Sequence, residues 1–362
     1  MIVEYSKSIL SYISAIRNYY GLEYYYKPNN KLKKLLDTKK PNKIFLILID
    51  AMGANLIKRK LSEDSFLRMH LLDTCTSVFP PTTTAATTSI QNGKTPAENG
   101  WLGWSQYIKE LDDIIIPFLS RSFYGDKKYE DGFFDRYCPI TTTDQELNEK
   151  GIKSTTVYPA FKKGGCKNLE AMCKRLIDYS NNSDYQYVYA YWDKYDSMMH
   201  KNGPNAAVCD KYLLKINSLL ENLANNISDD TMLIITADHG QIEVKREYDL
   251  AKSKFDKYFI RKPSLEFRSA SLFIHEDMKK EFEEEFNKEF KDDYLLLNYD
   301  EVVENKIFGD RDIHPYFKDF VGDYLAIAKG NTSLRYGELG IKGDHAGMSE
   351  DELNIPIITY MK

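Results

Sequence analysis

What the chain lacks narrows its function before any motif is read. Its five cysteines (Cys75, Cys138, Cys166, Cys173 and Cys209) are scattered and include no CxxC. That leaves out a zinc ribbon and a disulfide framework, and predicts reduced thiols in a cytoplasmic protein. Basic charge is not in excess: 49 Lys and Arg stand against 54 Asp and Glu, for a formal net charge of -5. A nucleic-acid polymer is therefore not an expected partner, and any phosphate chemistry must make its positive field locally. No uninterrupted apolar run nears the roughly 20 residues that span a bilayer, so no membrane partner is expected. Glu4 and Lys7 interrupt the opening stretch MIVEYSKSILSYISAIRNYYG. It lacks the basic and apolar regions of a signal peptide, and Val3, Ile9, Leu10, Ile13 and Ile16 predict an amphipathic packing helix instead. Repeats and low-complexity segments are also missing.

What is present reads as a layered α/β protein. At 362 residues the chain suits two domains, or one large domain with an insertion. Short apolar runs without alternation predict strands covered on both faces: Lys43–Ile49, Ser154–Tyr158, Tyr185–Tyr191, Thr231–Ala237 and Pro356–Tyr360. Helical patterns fall between them, beginning near Ala85–Gln91, at Asn168–Tyr179 and at Ala206–Asn225. Strands alternating with helices predict a mostly parallel central sheet flanked by helices. From about Gln241 the character changes. Lys245–Lys262 is strongly charged, Ser269–His275 reads as a strand, and Glu276–Lys291 reads as a helix. Met278, Phe282, Phe286 and Phe290 recur every four residues along that helix, which is the spacing of one packing face. Tyr294–Leu297 and Asp323–Ala328 read as further strands. These features predict an inserted α+β lid over 251–336, within a core formed by 1–250 and 337–362.

The residues with chemical potential follow the predicted strands, where open α/β sheets place their sites. Asp50 ends the first strand and either caps the next helix or serves a site. Asp238 and His239 offer two metal-capable side chains in one turn. Asp196 and His200 stand four apart and share a helix face, with Asp193 as a competing carboxylate. His345 lies in a glycine-flanked loop, Gly343-Asp344-His345-Ala346-Gly347. The segment Val78–Gly93 is dense in hydroxyls, and a proline pair leads it into a helix whose N-terminus suits an anion.

The order of these motifs resembles the alkaline phosphatase superfamily, and within it the type I phosphodiesterase/nucleotide pyrophosphatase family. The matching segments are ILIDAMG, FPPTTTAATTSIQNGKTPAENG, YWDKYDSMMHKNGP, TADHG and GDHAG, spanning Ile47 to Gly347. The resemblance implies an alkaline-phosphatase-like fold. It implies one divalent ion on Asp50, Asp238, His239 and the nucleophilic threonine, and a second on Asp196, His200 and His345. The family's nucleophile precedes the glycine of its Thr-Gly pair by ten residues. Asn92-Gly93 takes that pair's place here and selects Thr83, with Thr82 and Thr84 adjacent to it. Three carboxylates and three imidazoles suit Zn²⁺ and accept Mn²⁺. The implied activity is a two-metal phosphohydrolase acting on phosphodiester or nucleotide pyrophosphate bonds through a phospho-threonine. Its partner would be a small phosphorylated substrate such as a nucleotide.

The chain departs from the family at two points. Asn99 replaces the histidine of Pro-x-x-His-Gly, and an ungapped count puts Trp104 where well-studied members carry an asparagine on a phosphoryl oxygen. Asn99 or Gln106 could fill that role across a small gap. Trp101 and Trp104 read either as loop packing or as a stacking wall for a base or sugar. His70, His275 and His314 lie outside the motifs and read as surface or packing residues. Competing activities are a phosphomonoesterase, a metal-dependent phosphomutase of the same superfamily, and a non-catalytic binding protein. The threonine favours the hydrolase over the mutase, and the complete ligand set speaks against the binding protein.

Overall fold

The computed structural model describes residues 3–362. Ten strands build its two principal sheets: β1 (Lys43–Ile49), β2 (Leu71–Thr76), β3 (Ser154–Val157), β4 (Tyr187–Trp192), β5 (Thr231–Thr236), β6 (Phe259–Leu265), β7 (Ser269–Ile274), β8 (Tyr294–Asn298), β9 (Tyr324–Ala328) and β10 (Asn354–Tyr360). The central sheet has the order β2-β10-β5-β1-β4-β3. β3, β4, β1 and β5 run parallel, while β10 lies antiparallel to both β5 and β2. β1, β4 and β5 are buried along nearly their whole length, which explains their unbroken apolar sequence.

Helices α1 (Ile9–Tyr19), α2 (Thr83–Asn92), α3 (Leu169–Asn182), α4 (Lys194–Asn202) and α5 (Ala207–Asn226) flank this sheet. The α1 start is fixed by Ser8, whose hydroxyl accepts the Leu10 amide. Leu213, Ile216, Leu220 and Leu223 form the buried stripe of α5 at helical spacing.

The second sheet has the order β6-β7-β9-β8 and is antiparallel throughout. Its two faces alternate along β9. Tyr324, Ala326 and Ala328 meet the aromatic cluster of α6 (Lys279–Phe290), where Phe282, Phe286 and Phe290 are buried. Leu325 and Ile327 point the other way, into the main core. Burying each phenylalanine of that stripe contributes about 2–3 kcal/mol.

Strands also form outside the runs that the sequence reading marked, at β2 and in two further segments. The charged stretch Lys245–Lys262 contains the strand Arg246–Asp249, paired with Thr332–Arg335, and most of the edge strand β6. The loop Trp101–Arg136 holds a small antiparallel sheet of Gln106–Ile108, Asp113–Ile116 and Arg121–Ser122. A Ser105–Leu265 bridge ties this loop to β6. All five cysteines are buried free thiols. No helix of the described residues is long and apolar enough to cross a membrane.

Candidate metal centre and nucleophile

Parallel register brings the ends of three central strands level. Ile49 faces Trp192, and Leu48 faces Thr236. Asp50 follows β1 directly, Asp238 and His239 lie in the turn after β5, and α4 carries Asp196 and His200 just beyond β4. The short strand Gly343–Asp344 pairs with Ile242–Glu243, which draws the loop of His345 beside the turn of Asp238. The turns themselves touch. A Cβ on Gly240 would sit 2.0 Å from the Asp351 carbonyl, and one on Gly53 would sit 2.9 Å from Gly240 Cα. Ala51 (φ 59°) and Ala346 (φ 81°), each directly after a candidate ligand, adopt the left-handed conformation that alanine disfavours.

Two clusters result. Asp50, Asp238 and His239 form one, and Asp196, His200 and His345 the other, with the ligand atoms of each within 4.8 Å of one another. In the first, His239 Nε2 lies 3.3 Å from Asp50 Oδ1 and 3.6 Å from Asp238 Oδ2. In the second, Asp196 Oδ1 lies 3.2 Å from His200 Nε2 and 3.9 Å from His345 Nε2. The clusters adjoin, since the His239 and His345 rings stack with centroids 3.9 Å apart.

The donor set fits divalent cations by its own chemistry. Each imidazole has its Nδ1 on a backbone carbonyl: His200 on Gly343 at 2.8 Å, His239 on Gly240 at 2.9 Å, and His345 on Pro81 at 3.2 Å. That contact holds the proton on Nδ1 and turns the Nε2 lone pair toward the carboxylates. Asp50 Oδ1 and Asp238 Oδ2 are buried without a hydrogen-bond partner, which costs free energy unless a cation faces them. Burial, with the nearby charges of Asp238 and Asp196, pushes the Asp50 carboxyl well above its ordinary value. Burial acts the same way on Asp196, but the adjacent His200, with His345 and His239 behind it, holds that carboxyl well below the usual range. Burial and the neighbouring His239 push the His345 imidazole well below its ordinary value.

Among the adjacent threonines, geometry separates three roles. Thr83 Oγ1 lies 3.3 Å from His239 Nε2 and 3.5 Å from Asp50 Oδ2, at the first residue of α2. Thr82 Oγ1 turns away and donates to Glu266 Oε1 at 2.5 Å. Thr84 Oγ1 is buried without a partner. Thr82 is the N-cap of α2 but makes no capping bond, because its hydroxyl is committed to Glu266. The first amides of α2 thus stay unpaired beside Thr83.

Other sequence candidates lie elsewhere. Gly53, not Asp50, caps the next helix, Ala54–Lys60. Asp193 is the N-cap of α4 and belongs to neither cluster. Asn99 bonds Ser89, the Lys94 carbonyl and the Trp101 amide, and Gln106 bonds Leu102, Gly103 and Gly100. Both build the loop, and the Asn99 amide has its two hydrogens and its oxygen engaged there. Trp101 is buried, with its Nε1 on the Cys138 carbonyl and its ring against Phe118 and Phe134, so it packs the loop. Trp104 is half-buried and lines a narrow cleft with Phe123, Tyr124, Glu266, Phe267 and Tyr336. His70 packs on Phe66 and Tyr360, His314 on Tyr316 and Phe320, and His275 is exposed.

Three supporting residues had no sequence signal of their own. Tyr191, the penultimate residue of β4, donates its hydroxyl to Asp50 Oδ2. Gln241 follows the Asp-His-Gly turn and donates to Asp196 Oδ1 at 2.6 Å. Glu266 is half-buried, and burial pushes its carboxyl up to about 7 against the hydrogen bonds from Thr82 and Trp104.

Comparison with known proteins adds a family and a fold. Residues 141–348 match the family model described as type I phosphodiesterase / nucleotide pyrophosphatase. No curated protein matches the chain in sequence. Murine ectonucleotide pyrophosphatase/phosphodiesterase 5 shares the fold with a TM-score of 0.68 at 14% identity, over 87% of each chain. The human protein of that name gives 0.67 at 15% identity, over 88% of this chain and 87% of its own. An inactive variant of the murine protein, in complex with AMP, gives 0.66 at 15% identity, over 87% of each chain.

Proposed function

The chain belongs to the type I phosphodiesterase/nucleotide pyrophosphatase family of hydrolases, and from that membership we propose that it hydrolyses phosphodiester or nucleotide pyrophosphate bonds by way of a phosphorylated Thr83. The observation that carries the reading is the pair of adjoining Asp/His clusters with the Thr83 hydroxyl at their edge. Asp50, Asp238 and His239 would hold one divalent ion together with Thr83, and Asp196, His200 and His345 the other. Zn²⁺ fits this mixed N/O set best, and Mn²⁺ is accepted. Bound there, the ions supply Lewis acidity and the positive charge that an acidic protein otherwise lacks.

The remaining steps belong to the chain. The unpaired first amides of α2 orient an anionic phosphoryl group over Thr83. Asp50 Oδ2 accepts from the Thr83 hydroxyl, and Tyr191 holds that carboxylate in place. Thr83 Oγ1 attacks phosphorus in line, and the leaving alcohol or phosphate departs on the opposite side. Water then cleaves the Thr83–phosphorus bond and restores the hydroxyl. The AMP complex of the murine fold relative supports a nucleotide as the substrate class. The segment 251–336, read as a lid, includes Glu266, which accepts from Thr82 next to the nucleophile and lines a cleft with Trp104 and Phe267.

The test is steady-state hydrolysis by Zn²⁺- or Mn²⁺-loaded protein. p-Nitrophenyl phosphate, bis-p-nitrophenyl phosphate and thymidine monophosphate p-nitrophenyl ester are compared. Faster turnover of the two diesters is expected. Turnover of the monoester alone would replace the reading with a phosphatase, and silence on all three would overturn it.

A further inference from the structure

The Glu266 carboxylate stands beside the nucleophile with no cation paired to it. Thr82 Oγ1 and the Trp104 amide converge on one of its oxygens, Oε1, at 2.5 and 2.7 Å. Thr82 is the chain neighbour of Thr83, so this oxygen is held by the residue next to the nucleophile. No Lys, Arg or His lies within ion-pair distance of Glu266 among the described residues. Arg335, which lines the same cleft, is already engaged by Glu247 and Asp344 and stacks on Phe267. Two donors positioned to receive an anion are thus spent on a side chain of the protein.

We propose that Glu266 is a specificity-determining residue, whose fixed carboxylate disfavours dianionic phosphomonoesters relative to monoanionic phosphodiesters. The inference rests on the proposed phosphodiesterase reading and extends it. A monoester at alkaline pH carries one more negative charge than a diester, and on Thr83 that charge would lie near the carboxylate held by Thr82. In a partly desolvated cleft one added like charge at close range changes affinity on the order of ten- to a hundredfold. Trp104, Phe123, Tyr124 and Tyr336 line the same narrow cleft as Glu266, and their apolar surface disfavours a second charge there.

Glu266→Gln keeps an oxygen for both donors and removes the charge, so a purely structural role predicts no change. Metal-loaded wild type and E266Q are compared at pH 8.5 on p-nitrophenyl phosphate and bis-p-nitrophenyl phosphate. The monoester-to-diester ratio of kcat/KM is expected to rise at least tenfold, and a ratio within twofold of wild type overturns the proposal. Should the glutamine variant fail to fold, Glu266→Ala carries the same prediction. A second readout does not need turnover. Calorimetry on the Zn²⁺-loaded Thr83→Ala protein, with and without E266Q, measures inorganic phosphate against dimethyl phosphate. The Kd of phosphate is expected to fall at least tenfold relative to that of dimethyl phosphate, and an unchanged ratio overturns the proposal. If wild type hydrolyses neither ester, the functional reading fails, and the calorimetric ratio alone decides the role of Glu266.

Discussion

Arg268 and Glu352 form a buried ion pair whose loss should be felt in both stability and activity. Both side chains are fully buried. Arg268 Nε and Nη2 meet Glu352 Oε1 and Oε2 at 2.7 and 2.9 Å, and the guanidinium also donates to the carbonyls of Thr332 and Gly330. Glu352 in turn accepts from the Gly347 amide at 2.7 Å and the Ser349 hydroxyl at 2.6 Å. The pair therefore ties the β6–β7 turn to the loop that carries His345. Arg268→Met removes one partner and leaves a buried carboxylate, which costs about 3–5 kcal/mol. With an unfolding entropy of roughly 2.1 cal/mol/K per residue, that lowers the Tm by about 4–7 °C. Glu352→Gln should cost about as much, because it leaves the Arg268 guanidinium buried without a counter-charge and turns one acceptor oxygen into a donor facing other donors. The double variant should be less destabilised than the sum of the singles, by about 1 kcal/mol or more, since no lone charge remains. Differential scanning calorimetry of the four proteins, with the same metal load, measures the cycle. A Tm for R268M within 1 °C of wild type would refute the reasoning.

Further outcomes follow from the site itself. Thr83→Ala should lose on the order of a thousandfold or more in kcat while keeping its Tm and metal content, and Thr83→Ser should stay active, as read by diester turnover and bound-metal analysis. Chelation should lower the Tm, and re-added Zn²⁺ at a thousandfold excess over its Kd should restore about 4 kcal/mol per occupied site, of which Asp238→Asn should lose the first cluster's share because its unpartnered Oδ2 is gone. Tyr191→Phe removes the hydroxyl on Asp50 and should weaken metal affinity about tenfold in a competition titration, with little effect on the fold.

The sequence made the site more legible than its surroundings. β1, β4 and β5 announce themselves as unbroken apolar runs because both faces are covered, and the residues after them inherit a known position in space. Two strands hid for opposite physical reasons. β2 (LLDTCT) lies at the sheet edge, half-exposed and carrying Asp73, so its apolar signal is weak. β6 begins in a charged stretch and contains Pro263, which an edge strand tolerates because it owes fewer ladder hydrogen bonds. Counting selected Thr83, but only the contacts distinguish the three hydroxyls: Thr83 meets His239 and Asp50, Thr82 meets Glu266, and Thr84 is buried without a partner. The loop of His345 also carries Asp344. In the structure the carboxylate turns to Ser333, Arg335 and its own loop, leaving the imidazole to the cluster. Tyr191, Gln241 and Glu266 were invisible because each acts through a partner far away in the chain.

The most direct test of the central claim is to look for the intermediate on the chain. Zn²⁺-loaded protein is mixed with thymidine monophosphate p-nitrophenyl ester, quenched in acid within one turnover, and digested for mass spectrometry. The account predicts p-nitrophenol release together with a thymidylyl group on Thr83. Turnover with the adduct on Thr82 or Thr84, or full turnover in Thr83→Ala with no adduct at all, would contradict it.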